Sequence, residues 1–387
     1  MELSKLVFGL IVFAFVCGQE MSDVDLKNHV KTVDEELSNT DLMLVFAMFR
    51  HGDRTPDQEE IALNPSSDQN SKNIFFPYGK KALTNKGKVR AFLVGEYLRR
   101  RYDGFLSRLY LPEEISVRTT DYARTKMTAL AALAAMYPPL PAQKWNPALN
   151  WQPIPYDTLA FEDDDLLYWY NCEQYLALRN KIYGLPEVRK WIESYDDLFV
   201  YLSEHTITNV TTPEDVFYLD NLFQAMENVG VEPPEWAREV MPKIKDVTKI
   251  EFGIEFYNSE LIRLASGVLI NDIKNDMEEA IRGNEEQPKL RIYSAHENNV
   301  AALMAAARVF QPHQPKYGST FTLELRKNRL TGQYGVLAVY APNAGEPEKV
   351  LPIAGCGSQV LCEYKRFLNL TQEYAWTKDD FRKACHT

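Results

Sequence analysis

The stretch FRHGDRTP, Phe49–Pro56, brings Arg50, His51 and Arg54 together at the close of an apolar run. The chain holds six histidines and carries a formal net charge of −11, so this cluster is a local concentration of positive charge. A guanidinium is a planar donor fork that matches phosphate oxygens and stays charged at any workable pH. An imidazole fixed at one ring nitrogen presents the other as a nucleophile. Two more segments carry compatible groups: Arg118 in VRTT, and His296-Glu297 in SAHENN. Glu297 could protonate a departing alkoxide and then take a proton from the water that breaks a phosphohistidine. The chemistry is phosphoryl transfer, with Arg50, Arg54 and Arg118 as clamp and His51 as nucleophile.

These residues need elements that present them to one pocket. MLVFAMF (Met43–Phe49) reads as a strand buried on both faces, as in a parallel sheet covered by helices. EISVRTT (Glu114–Thr120) and LRIYSA (Leu290–Ala295) read as two more short strands, each followed by an Ala-rich helical pattern. A helix is expected after Thr84, with Thr84 as N-cap; its closing Arg99, Arg100 and Arg101 read as a solvated helix end. STFTLELRKN and YGVLAVYAPN alternate like an antiparallel pair. The fold class is therefore α/β, a largely parallel central sheet flanked by helices. In such sheets ligands bind beyond the carboxyl ends of the strands, beside helix N-termini, where all three segments would place their polar residues. Residues 158–250 lose the strand pattern and read as a mostly helical cap inserted in a core made of 19–157 and 251–387.

The chain ends fix the expected compartment. MELSKLVFGLIVFAFVCG, residues 1–18, has a basic start, a short apolar run and small closing residues, the pattern of a cleaved secretory signal. The rest is expected to be secreted, with lysosomal delivery as the other destination, and without a membrane anchor. Cleavage leaves Cys172, Cys356, Cys362 and Cys385, which suggests two disulfides with three connectivities open. Asn209 and Asn369 begin sequons for glycosylation. The acidic balance excludes nucleic acid as the main partner. His205, His313 and His386 lack a carboxylate cluster at ligand spacing, so no metal and no cofactor are expected.

RHGDRTP resembles the signature of the histidine acid phosphatases, in branch 2 of the histidine phosphatase superfamily. VRTTDYARTKMTALAALAAMYP, YSAHENN and GCGSQVLC resemble further family blocks, so the likeness spans nearly the whole mature chain. It is most similar to the prostatic and lysosomal type, and KWNPALNWQPIP resembles the secreted insect branch with the venom enzymes. The resemblance implies His51 as the phosphohistidine nucleophile, and Arg50, Arg54, Arg118 and His296 as the phosphate holders. It implies Glu297 as proton donor where most relatives carry aspartate, a side chain longer by ~1.5 Å. It also implies the pairings Cys356–Cys362 and Cys172–Cys385, and it admits a homodimer.

The function expected is hydrolysis of small phosphate monoesters at acid pH, with broad specificity because only the phosphoryl group is clamped. Phytase activity is the weaker variant: FEDDDLL (Phe161–Leu167) would repel a polyanion if it faced the site, although it reads as a solvated acidic loop. The rival from another class is a secreted binding or antigenic protein on the same scaffold with weak catalysis. An intracellular mutase fits the signal and the large cap poorly.

Overall fold

In the computed structural model the apolar run becomes β1 (Thr40–Arg50), and its side chains alternate between two cores. Leu44, Phe46 and Met48 enter the core on one face of the sheet; Val45, Ala47 and Phe49 enter the core on the other. Complete burial of each phenylalanine contributes about 1.5–3 kcal/mol, which holds the strand in the middle of the molecule. The structure describes residues 36–63, 75–206, 208–284, 286–344, 347–357 and 359–385. The expected signal, residues 1–18, and His386 lie outside them. The chain divides into two compact units, Met1–Thr40 and Asp41–Thr387, and the elements below are those of the second.

After β1 come α1 (Gln58–Ala62), α2 (Asn85–Arg101), β2 (Ile115–Thr119), α3 (Ala123–Met136) and the two-residue β3 (Asp157–Thr158). A helical stretch follows: α4 (Glu173–Tyr183), α5 (Pro186–Glu193), α6 (Asp196–Thr206), α7 (Pro213–Asn228), α8 (Glu235–Glu255) and α9 (Ser259–Arg282). The chain then returns through β4 (Leu290–Ala295), α10 (Glu297–Ala306), β5 (Thr320–Asn328), β6 (Tyr334–Ala341), β7 (Lys349–Leu351) and β8 (Cys362–Glu363). It closes with α11 (Tyr364–Thr371) and α12 (Lys378–Cys385).

The strands form one mixed sheet in the order β3-β2-β4-β1-β5-β6-β7, with β8 on β6. β1, β2 and β3 run parallel with their neighbours on the β4 side, and β5–β6–β7 is antiparallel. Arg50 is level with Ala295, and Thr119 with Ser294. The parallel strands therefore end together, and residues 50–54, 120–124 and 296–297 emerge on one edge. Strand–helix alternation, the parallel core and the final antiparallel pair are as the sequence leads one to expect.

Thr84 caps α2, accepting from the Gly87 N–H at 3.0 Å. The basic end of α2 departs from the solvated reading. Arg101 is ion-paired with buried Glu324 at 2.6 Å, and Arg99 donates to the Ser107 carbonyl at 2.8 Å. The run ties the helix to its surroundings, and only Arg100 is exposed. In the helical stretch, Leu198, Leu202, Val216, Leu219 and Val247 build a core of their own. Thr212 caps α7 with Pro213 in its first turn, as the sequence indicates. Both disulfides, Cys172–Cys385 and Cys356–Cys362, are formed as the resemblance implies. Among the described residues, no helix is long and apolar enough to cross a membrane.

Candidate active site

Gly52 explains how the first motif is set. A Cβ there would lie 2.2 Å from the Gly87 carbonyl oxygen, so only glycine lets the chain leave β1 against the first turn of α2. Neighbouring backbone bonds fix the rest: the His51 N–H donates to the Ala295 carbonyl at 3.0 Å, and the Gly52 N–H to Thr128 Oγ1 at 3.2 Å.

His51 is fully buried. Its Nδ1 lies 2.8 Å from the Gly52 carbonyl oxygen, which can only accept, so Nδ1 carries the proton. Nε2 in turn accepts from Arg124 Nε at 3.1 Å. The lone pair is thus on the nitrogen that faces the cations. Burial, then the charges of Arg124, His296, Arg50 and Arg54, hold this imidazole well below the usual histidine range. Burial, then Arg124, Arg54 and Arg50, do the same for His296. Both rings therefore stay neutral into acid solution.

Each arginine is held differently. Arg50 forks onto Glu297, with Nε to Oε2 at 3.0 Å and Nη2 to Oε1 at 3.1 Å, donates to the Pro315 carbonyl at 2.8 Å, and lies 3.9 Å over the Tyr317 ring. Arg54 makes a bidentate pair with Glu60 of α1, both contacts 2.6 Å. Arg124, in the first turn of α3, is the least compensated. Its nearest carboxylate, Asp57, is 3.6 Å away, and its buried Nη1 has no hydrogen-bond partner among the described residues. Burial, then repulsion from Arg54, depresses its pKa, so it is a buried cation short of negative charge.

Sequence reasoning chose Arg118, and the structure does not bring it into this cluster. Arg118 sits inside β2, ion-paired with buried Asp164 at 2.8 Å and donating to the Thr119 carbonyl. The signal for Arg124 was present in the sequence. It stands beyond the carboxyl end of β2 and at the start of a helix, where the topology puts anion-binding groups, whereas Arg118 precedes the end of its strand. Arg50, His51, Arg54, His296 and Glu297 do come together. His296 Nε2 is 2.9 Å from Thr120 Oγ1, its ring centroid is 5.3 Å from that of His51, and its N–H donates to Asn299 Oδ1 at 3.2 Å. Glu60, Thr120 and Tyr317 were not legible as partners.

Donor atoms of His51, His296 and Glu297 lie within 4.8 Å of one another, a spacing a metal could use. Their surroundings do not suit one. His51 Nε2 already accepts from Arg124, Glu297 is forked by Arg50, and the guanidiniums of Arg50, Arg54 and Arg124 oppose any cation. Charge and donor geometry favour an anion.

Residues 41–334 match the model of the histidine phosphatase superfamily, branch 2. The chain belongs to that family and is a phosphatase by class. It is 32% identical over 335 residues to the venom acid phosphatase Acph-1 of Apis mellifera, covering 86% of this chain and 85% of the relative. It is 31% identical over 351 residues to the prostatic acid phosphatase of Homo sapiens, covering 87% and 86%. Among solved structures, the phytase of Hafnia alvei in complex with tartrate superposes with a TM-score of 0.64 at 15% identity, covering 88% of this chain and 98% of that one. At that identity the likeness speaks for the fold.

Proposed function

We propose that the protein is a secreted acid phosphatase that hydrolyses small phosphate monoesters through a phosphohistidine at His51. The observation that carries this reading is the pairing of a neutral, tautomer-fixed imidazole with an undercompensated guanidinium: His51 Nε2 on Arg124 Nε at 3.1 Å. Arg50, Arg54, Arg124 and His296 would hold the phosphoryl oxygens and spread the charge that gathers on them. Arg124 takes the place expected for Arg118, which lies within β2, short of the strand end, and pairs there with Asp164.

In the first step the His51 Nε2 lone pair forms a bond to phosphorus. The ester P–O bond breaks, and Glu297, at the first position of α10, protonates the leaving alkoxide. In the second, water attacks the phosphohistidine while the Glu297 carboxylate takes its proton, and the P–N bond returns its electrons to Nε2. Turnover in acid is compatible with the same geometry, because the depressed pKa of His51 keeps its lone pair available where an ordinary histidine would be protonated. The fall toward neutral pH would come from loss of the proton that Glu297 must deliver to the leaving group.

Secretion rests on the signal pattern of residues 1–18, the two disulfides and the family. Asn209 and Asn369 are both exposed, as glycan acceptors must be. A homodimer is the assembly proposed by resemblance, to be read by sedimentation. The test of the function is hydrolysis of p-nitrophenyl phosphate at acid pH with EDTA present, beside His51→Ala. Turnover that survives EDTA and disappears in the variant supports the reading; a folded wild-type protein without turnover refutes it.

A further inference from the structure

The first turn of α10 is tied to the helical stretch through Asn298 and Asn299, side chains that the chemical steps do not use. Asn299 accepts the His296 N–H at 3.2 Å and donates through Nδ2 to the Leu167 carbonyl at 2.7 Å. Asn298 accepts the Asn299 N–H at 3.0 Å and donates through Nδ2 to Tyr170 Oη, also at 3.0 Å. An amide nitrogen only donates, so Tyr170 Oη accepts there and its own proton is left for Glu255 Oε1 at 2.9 Å. Glu255 is buried and is the last residue of α8. A chain of hydrogen bonds with a fixed direction therefore runs from the end of α8 to the residue beside Glu297.

Its far end is anchored. The Tyr170 ring stacks on Trp169 with centroids 5.4 Å apart and stands edge-on to Tyr175 at 5.9 Å. Tyr175 in turn donates to the Glu255 backbone carbonyl at 3.2 Å. The segment that carries Leu167 and Tyr170 is fixed by its own acids. Asp164 and Asp165 are buried in ion pairs with Arg118 and Arg382, which departs from the reading of a solvated loop, while Glu162 and Asp163 stay exposed. Asp164 Oδ1 also accepts the Leu167 N–H at 3.1 Å.

Resting on the phosphatase reading, we propose that Glu255, Tyr170 and Asn298 are positioning residues that hold Glu297 where its carboxyl can protonate the leaving alkoxide. Both Glu297 oxygens are forked by Arg50, and one of them must leave that fork to reach the leaving oxygen. The side chain therefore turns during catalysis, and only a fixed backbone at the start of α10 can aim it. Glutamate has one more rotatable bond than aspartate, which makes the aim depend more on where its Cα stands. Catalytic groups act only when held within a fraction of an ångström of the productive position.

The test uses the leaving group as its probe. Ethyl phosphate needs a proton delivered to its alkoxide, whereas p-nitrophenyl phosphate does not. One hydrogen bond is worth up to about tenfold. Tyr170→Phe and Asn298→Ala should each lower kcat/KM for ethyl phosphate by about tenfold, and for p-nitrophenyl phosphate by about twofold or less. The double variant should lose little more than either single one, because both cut the same chain. Glu255→Gln keeps an acceptor for Tyr170 and should keep the wild-type ratio between the esters, while Glu255→Leu should reproduce the Tyr170→Phe loss. A merely structural role would lower Tm and slow both esters together. An unmoved ratio in Tyr170→Phe and Asn298→Ala, or equal losses on both esters, overturns the proposal and leaves the phosphatase reading standing. Turnover of neither ester by the folded wild-type protein overturns both.

Discussion

Arg124 and Arg118 lie six residues apart in one segment, and the structure gives them opposite duties. Arg124→Ala removes the donor on His51 Nε2 and a guanidinium whose buried Nη1 has no hydrogen-bond partner among the described residues. Loss of one donor aimed at developing transition-state charge costs ~10²–10³ in kcat, or about 3–4 kcal/mol. A second effect compounds it. Arg124 is the largest charge holding down the His51 pKa, after burial, so the variant's histidine titrates higher and loses its lone pair sooner as pH falls. The acid limb of kcat/KM should therefore move to higher pH. Arg118→Ala instead strands Asp164, whose side chain is 1% exposed. Breaking a buried pair costs about 3–5 kcal/mol. Here the low end applies, because burial already pushes the Asp164 carboxyl up and the Leu167 N–H still donates to it at 3.1 Å. The stability loss should shrink toward acid pH as Asp164 takes a proton, while kcat/KM of the folded enzyme stays within about threefold. Steady-state kinetics from pH 4 to 7 and urea midpoints at both ends decide the matter. A hundredfold kinetic loss in Arg118→Ala with unchanged stability, beside a mild Arg124→Ala, would refute the assignment.

Three further outcomes are expected. Glu297→Gln should slow ethyl phosphate by ~10²–10⁴ and p-nitrophenyl phosphate far less, because a good leaving group needs no proton; equal losses for both esters would remove Glu297 as the acid. Glu255 is buried in α8, where Tyr170 donates to it at 2.9 Å; burial, opposed by Arg179 and reinforced by Glu251, pushes it up to about 8. Its folded value lies above its ordinary 4.5, so the folded state holds the extra proton between them, and stability present below 4.5 is lost as pH rises through about 8. Glu255→Gln should match the wild-type Tm near pH 4.5 and exceed it near pH 8.5, and parallel Tm curves would contradict this. Replacing both Cys172 and Cys385 by serine frees residues 213 apart in sequence and should cost ~3–5 kcal/mol; the pair Cys356 and Cys362, 6 apart, should cost ~2 kcal/mol or less. Urea unfolding reads both, and the reverse order would undo the loop-length argument.

The sequence made visible what local pattern dictates. β1 was legible because its apolar residues feed both cores, and α2 and α7 because Thr84 and Thr212 are strong caps. The site was legible wherever a functional residue sat just past a strand end, as at Arg50-His51 and His296-Glu297. Arg124 was missed since Arg118 shares its segment, and only the register of β2 against β4 shows that Arg118 falls short of the edge. β3, β7 and β8 are two or three residues long and exist through pairing rather than propensity. The Arg54–Glu60 fork, the burial of Asp164 and the contact of Phe161 with Tyr122 are tertiary, and no periodicity announces them.

The central claim is covalent transfer to His51, and trapping the intermediate tests it most directly. The enzyme would be mixed with a ³²P-labelled monoester at acid pH, quenched in alkaline denaturant within milliseconds, and digested. Label that is stable to alkali, labile to acid and confined to the peptide holding His51 is the result this account predicts. Rapid turnover with no labelled peptide, or with label on another residue, would contradict it.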